Sequence, residues 1–374
     1  MILWILWVGW MLVIAYLSFL FLKAGSLLAR YREEQANPQN SSQENTEGVS
    51  IIICAHNEFS NLQQLLPLLY SQKHPRFEIV VVEDRSTDGS LDFLLEQKEI
   101  EPRLKLVWLR HRPEHIRGKK YALSLGIRAA RYDKLLLTDA DCLPASDTWL
   151  SGMTARLAPN KDFVLGYSPY LKTPGLLNKY ICYETLLTAG TYFSAALAGH
   201  PYMGVGRNLA YRKSFFMSHK GFYKHIHLTG GDDDLFVNEH ANAQNTAVSM
   251  DVHTQVKSKP KGSWKEYFRQ KKRHLSVGKY YKRKDQIWLG SLSTGHLMFW
   301  LGMIILVLGE HEPILIFSGF VLKWFCQFYF LRKATLRLKE PLNLALLPIL
   351  DFLYVINYVV LGISALSSNS IKWN

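Results

Sequence analysis

The chain opens on 22 residues, MILWILWVGWMLVIAYLSFLFL, with no charged side chain. A helix needs about 20 apolar residues to cross the hydrocarbon core of a bilayer, and this run supplies them. A cleaved signal peptide would start basic, carry a shorter apolar run and end in a small-residue site. Here Lys23, Arg30 and Arg32 follow the run instead, so an uncleaved anchor is expected. Three further apolar runs lie at about 287–309, 313–331 and 341–366. Short Lys/Arg-rich flanks favour the cytoplasm. The flanks 23–32, 257–284 and 332–339 are basic, and the loop 310–312 is Glu-His-Glu. Every loop then fits one topology: N-terminus out, residues 23–286 in the cytoplasm and C-terminus out. The expectation is a multi-pass integral protein of the plasma or inner membrane. Lys323 and Asp351 fall inside the last two runs at matching depths. Either they pair, or Lys323 snorkels while Asp351 faces a polar bundle interior.

The formal net charge of +13 taken alone would point to a nucleic-acid partner. No nucleic-acid motif is present, however, and the charge is concentrated. Residues 257–285 hold twelve Lys/Arg and two acids, the kind of segment that docks on an anionic leaflet. No nucleic acid is therefore expected as a partner. Hydrophobic residues at 48% exclude a disordered chain. The four cysteines (Cys54, Cys142, Cys182 and Cys326) are scattered and read as free thiols. The histidines 200, 219, 225 and 227 lack metal-site spacing.

Between 49 and about 255 the pattern changes. Short apolar runs rich in β-branched residues occur at 49–54, 78–82, 104–109 and 134–138, separated by amphipathic stretches at about 60–72, 90–100 and 119–131. Continuous apolar strands alternating with helices predict a mainly parallel α/β sheet covered on both faces. Ligands bind such sheets beyond the C-terminal strand ends. Those ends read Ala55-His56-Asn57-Glu58, then Glu83-Asp84-Arg85-Ser86-Thr87-Asp88-Gly89, then Thr138-Asp139-Ala140-Asp141. Acids converging on one crevice repel unless a cation is present, and oxygen-only ligands suit Mg²⁺ or Mn²⁺. A divalent ion in turn points to a phosphorylated ligand.

These segments resemble the family-2 glycosyltransferases, whose nucleotide-sugar-binding domain has the GT-A (Rossmann-like) fold. VSIIICAHNE is similar to the opening strand motif of the family and VVVEDRSTDGS to its second-strand motif. Gly118-Lys119-Lys120-Tyr121-Ala122-Leu123 is similar to its GKxxAL helix start, and Thr138-Asp139-Ala140-Asp141 to its DxD metal motif. Four motifs in the family's order make a far more specific signal than any one of them. Met203-Gly204-Val205-Gly206-Arg207-Asn208 resembles its Gly-rich acceptor-side segment, or is a structural glycine turn. Gly230-Gly231-Asp232-Asp233-Asp234-Leu235 resembles its acidic base motif, without the usual Glu. Gln270-Lys271-Lys272-Arg273-His274 resembles its QxxRW motif, with His274 where Trp is usual. Spacings of three and four put Gln270, Arg273 and His274 on one helix face.

The resemblance implies inverting transfer of a sugar from a nucleotide-diphosphate donor, most often a UDP-sugar, to an acceptor hydroxyl. It places Ala55, Asn57, Glu58, Asp84, Lys119 and Asp139 in nucleotide-sugar binding and Asp139 with Asp141 on the metal. It implies one catalytic base in the acidic motif, Asp232, or Asp233 in the other alignment. Arg207, Asn208, Gln270, Arg273 and His274 would serve the acceptor or the diphosphate. The expected layout is an anchor (1–22), a juxtamembrane linker (23–48), a GT-A domain (49–255), a basic interfacial helix (256–286), three membrane helices (287–366) and a tail (367–374). The acceptor is expected to be lipid-linked or a cell-surface glycan. The alternatives are a processive polysaccharide synthase and a non-catalytic membrane scaffold.

Overall fold

A computed structural model describes residues 1–31, 47–111, 113, 116 and 118–366. Most of the expected linker, with Arg32, and the tail 367–374 lie outside the described residues. In chain order the elements begin with α1 (Ile2–Arg30), β1 (Val49–Ala55), α2 (Phe59–Tyr70), β2 (Phe77–Asp84), α3 (Ser90–Ile100) and β3 (Leu104–Leu109). There follow α4 (Lys120–Ala129), β4 (Lys134–Leu137), β5 (Cys142–Pro144), α5 (Trp149–Thr154), β6 (Phe163–Leu165), α6 (Leu176–Leu197) and β7 (Leu209–Arg212). The remainder are α7 (Lys213–Ser218), α8 (Asp234–His240), β8 (Thr246–Val248), β9 (Val256–Ser258), α9 (Trp264–Leu275), α10 (Arg283–Leu308), α11 (Pro313–Leu338) and α12 (Leu347–Leu366). They form two compact units. One comprises Met1–Tyr31, Lys172–Ala195 and residues 263–366. The other comprises the described residues from 47 to Leu171 and Ala196–Gly262.

The second unit is built on a seven-stranded sheet of order β3-β2-β1-β4-β7-β6-β8. The first four strands are parallel, with Val49 level with Phe77 on one side and Lys134 on the other. β7 runs antiparallel to both β4 and β6. The apolar runs become strands because both faces are covered. Ile51, Ile53 and Val81 pack with Leu62, Leu65 and Leu69 of α2 and with Trp149 and Met153 of α5. On the other face Val82 and Leu109 pack with Ala122 of α4. Strand order reverses between β1 and β4, and a reversal of this kind opens a crevice at the C-terminal strand ends.

In the first unit four helical stretches are long and apolar enough to cross a membrane: Ile2–Arg30, Arg283–Leu308, Pro313–Leu338 and Leu344–Gly362. α1 continues eight residues beyond the uncharged run. The Trp10 indole donates to the Phe299 carbonyl at 2.8 Å, tying α1 to α10. Lys323 and Asp351 do pair, with Nζ 2.7 Å from Oδ2 and both side chains fully buried. Asp351 also accepts from Gln327 Nε2 at 2.8 Å, from Tyr183 Oη at 3.1 Å and from Trp300 Nε1 at 3.1 Å. The carboxylate therefore gathers donors from α6, α10 and α11, which satisfies a charge that would be costly alone in hydrocarbon.

Candidate active site

Three parallel strands end side by side, and the loops that follow them are stitched together. After β1, Asn57 takes a left-handed backbone (φ 56°), a conformation Asn tolerates better than most residues. Its Oδ1 accepts from the Thr87 N–H at 2.8 Å, and its own N–H donates to Ser86 Oγ at 3.0 Å. His56 Nδ1 lies 2.5 Å from the Asp84 carbonyl. Asp84, at the end of β2, is buried, and its Oδ1 accepts from Arg85 Nε at 2.8 Å. Glu58 starts α2 and is bonded by Asn61 Nδ2 at 2.5 Å. Burial raises the Glu58 carboxyl above its ordinary value, and Asp141 and Asp139 add to the shift. Ala55, Asn57, Glu58 and Asp84 are thus brought to one loop pair, with two more acids within electrostatic reach of Glu58.

Those acids follow β4. Oxygens of Asp139 and Asp141 and the Cys142 sulfur all lie within 4.8 Å of one another. Cys142 Sγ donates to Asp141 Oδ1 at 3.3 Å. Burial, reinforced by both acids, pushes this thiol well up, so it stays a protonated donor. The accessible donor set is accordingly two carboxylates from one tight loop. Mg²⁺ and Mn²⁺ fit such a set, because they bind through few protein oxygens and complete their shells with water and phosphate.

Lys119 connects the Asp139–Asp141 loop to the acidic turn before α8. Its Nζ lies 2.7 Å from Asp139 Oδ1 and 3.1 Å from Asp232 Oδ2, so one ammonium bridges two carboxylates. A lysine at the start of α4 opposes the helix dipole, and the two acids hold it there. Burial disfavours its charge, yet Asp139 and Asp232 outweigh burial and raise its pKa well above the usual value. Asp232 shows the mirror effect: burial raises it, but Lys119 and Lys120 outweigh that and hold it below the usual carboxylate range. Asp233 is placed differently. Its Oδ2 accepts from the Gly206 N–H at 2.6 Å and its Oδ1 from the Asp234 N–H at 2.8 Å, capping α8. Burial, with the charge of Asp232 beside it, pushes Asp233 up.

The two residues of the Gly-rich segment part company. Arg207 stacks its guanidinium 4.5 Å from the Tyr170 ring centre. Its Nη1 is buried without a hydrogen-bond partner among the described residues. Burial disfavours its charge, but Tyr170, Cys142, Asp139 and Asp141 outweigh that and raise its pKa. Asn208 turns inward. Its Nδ2 donates to the carbonyls of Tyr167 (2.8 Å) and Thr254 (2.7 Å), and its Oδ1 accepts from Trp149 Nε1 at 3.0 Å. Both amide hydrogens are committed to the core. Gln270, Arg273 and His274 lie on α9, in the other compact unit. That helix is capped by Ser263 and fixed by a Lys271–Glu184 ion pair at 2.5 Å.

Residues 50–218 match the family model described as Glycosyl transferase family 2. Over that segment the chain is similar to this family. Among curated relatives, the chain is 32% identical over 107 residues to a poly-β-1,6-N-acetyl-D-glucosamine synthase of Staphylococcus epidermidis, covering 29% of this chain and 25% of that one. It is 25% identical over 248 residues to the probable glycosyltransferase YdaM of Bacillus subtilis, covering 62% and 55%. The chain therefore spans about a quarter of the first relative and about half of the second. Among solved structures it resembles a mannosyltransferase from Pyrobaculum calidifontis in complex with GDP-Man and Mn²⁺. The TM-score is 0.60 at 19% identity, over 90% of this chain and 99% of that one. At that identity the likeness speaks for the GT-A fold.

Sequence alone assigns no site role to Lys120 or Cys142. Each has a faint signal. Lys120 is the second lysine of a helix start where one is usual, and Cys142 directly follows the DxD triplet.

Proposed function

We propose that the chain is an inverting glycosyltransferase that moves a sugar from a nucleotide-diphosphate donor to a lipid-linked or cell-surface glycan acceptor at a membrane. The observation that carries this reading is the Lys119 bridge between Asp139 and Asp232, because it joins a metal-suited acid pair to an acid with a lone pair to offer. Asp232 is held through Oδ2 by the Lys119 ammonium, whereas both oxygens of Asp233 are occupied by backbone N–H groups. Asp232 is accordingly the base. It accepts the proton of the acceptor hydroxyl as that oxygen bonds the anomeric carbon, and the bond from that carbon to the diphosphate breaks, the electron pair leaving with the diphosphate. Asp139 and Asp141 would hold Mg²⁺ or Mn²⁺, which supplies charge neutralisation of the leaving group. Lys119 and the unpartnered Nη1 of Arg207 offer further positive charge to phosphate oxygens. Asp84 and Asn57 bind the nucleoside, with Ala55 and Glu58 lining its pocket. Gln270, Arg273 and His274 serve the acceptor. The catalytic unit faces the cytoplasm.

A second reading, processive synthesis of a polysaccharide, is favoured by the poly-β-1,6-N-acetyl-D-glucosamine synthase relatives. The test is a screen of UDP- and GDP-linked sugars on the full chain in detergent, with Mn²⁺, Mg²⁺ or EDTA. Metal-dependent release of nucleoside diphosphate is expected with one donor class, and Asp141→Ala should abolish it. No turnover with any donor would defeat the catalytic reading and leave the scaffold. Product length, read by mass spectrometry, separates single addition from polymer.

A further inference from the structure

The acidic turn that carries Asp232 has no stiffness of its own. Residues 226–233 form no strand or regular helix, and two glycines, Gly230 and Gly231, directly precede Asp232. Gly231 has φ +84°, a left-handed conformation natural to glycine, which is also the residue with the most backbone freedom to lose. A base must nevertheless be held to within a fraction of an ångström of the hydroxyl it deprotonates. Something outside the turn has to fix it.

The start of α4 does so from two sides. Lys119 takes the Asp232 side chain, Oδ2 at 3.1 Å. Lys120 takes the backbone: its Nζ donates to the Leu228 carbonyl at 2.8 Å and also to the Gly230 carbonyl. Lys120 has no exposed surface and makes no ion pair with a carboxylate among the described residues. Burying an ammonium is expensive unless its donors are used, and here two are spent on carbonyls of one short turn. Gly118, at φ +72°, completes the seam: a Cβ there would collide with the Thr229 carbonyl, so the two backbones approach as closely as glycine allows. The adjacent lysines thus divide the work, one on the carboxylate and one on the chain that presents it.

We propose that Lys120 is a positioning residue, whose buried ammonium clamps the carbonyls of Leu228 and Gly230 and so fixes where Asp232 meets the acceptor. The proposal rests on the reading of Asp232 as base. The experiment compares full-length wild type, Lys120→Met, Lys120→Gln and Asp232→Asn for kcat, KM, donor Kd and site-resolved amide exchange. Removing the clamp should lower kcat about 10²-fold in Lys120→Met, and less in Lys120→Gln, which keeps a donor. Donor Kd should change less than about threefold, because the clamp touches no donor-binding group. Exchange should quicken over 228–233 while β1 and β2 stay protected. If Asp232→Asn is inactive but both Lys120 variants turn over at the wild-type rate, the clamp is refuted and the base reading survives. An active Asp232→Asn defeats the base reading itself. If the Lys120 variants lose protection throughout the sheet, Lys120 is a core staple and the positioning role is also refuted.

Discussion

Asp232 and Asp233 are neighbours with the same chemistry, and what separates them is what each oxygen already does. Asp233 spends both on backbone N–H groups, and Asp232 spends one on Lys119. Asp232→Asn should therefore lower kcat by about 10³-fold with the fold retained, at a modest loss of melting temperature from the broken Lys119 pair. Asp233→Ala should act chiefly on stability, at about 1 kcal/mol for a lost helix cap. Equal losses of activity in the two variants would erase the distinction. The sign of the electrostatics gives a second check. The folded-state pKa of Asp232 is depressed, so its pairing with Lys119 stabilises the fold fully above the ordinary carboxylate pKa. That contribution is lost as pH falls through the depressed value. In Lys119→Met the nearer of the two opposing cations is gone and burial weighs more heavily. The acidic limb of kcat/KM should then move to higher pH, and a limb that stays put would mean another group controls it. Asn208 shows where sequence reading stops. Its position in a Gly-rich segment suggested a ligand contact, yet Trp149, Tyr167 and Thr254, distant in sequence, consume its amide.

At the scale of elements, what the sequence made legible was what repeats locally. The runs at 49–54, 78–82, 104–109 and 134–138 were readable because strands buried on both faces are continuously apolar. The three-residue strands β5, β6, β8 and β9 are too short to carry a period. α6 escaped notice because its buried residues run around the whole helix, which leaves no amphipathic stripe. The Lys323–Asp351 pair was visible as one of two options, while the roles of Tyr183, Gln327 and Trp300 were not. Among them they join α6, α10, α11 and α12 through one carboxylate. Lys323→Met or Asp351→Asn should each destabilise the helices strongly, about 3–5 kcal/mol by the usual cost of breaking a buried pair. Exchanging the two charges should restore part of that loss. Full recovery is not expected, because the Trp300 indole can only donate and would face an ammonium. Thermal unfolding in detergent reads the effect, and independent, additive losses in the exchanged protein would refute the coupling.

For the whole molecule, the question is which loops share a side of the membrane. Within the helical unit the two ends of α1 sort the loops. Near its C-terminus the carbonyls of Leu28 and Ala29 accept from the Arg337 guanidinium at 3.1 and 3.2 Å, so the ends of α1 and α11 lie together. Near its N-terminus Trp4 packs edge-on against His311, 4.8 Å between ring centres, so the loop 310–312 lies at the opposite end. The basic flank 332–339 therefore falls with the basic end of α1, and Glu310 and Glu312 fall with the uncharged start. This is the separation that the positive-inside rule requires, with the Lys/Arg-rich end in the cytoplasm. A membrane-impermeant thiol reagent should label Glu310→Cys or Glu312→Cys in intact cells and label Lys339→Cys only after permeabilisation. Cys142, Cys182 and Cys326 are buried, and replacing the half-buried Cys54 by Ser gives a clean background. The reverse labelling pattern would put the nucleotide-sugar site on the outer face, where cytoplasmic donors do not reach it, and the proposed reaction would fail with the topology.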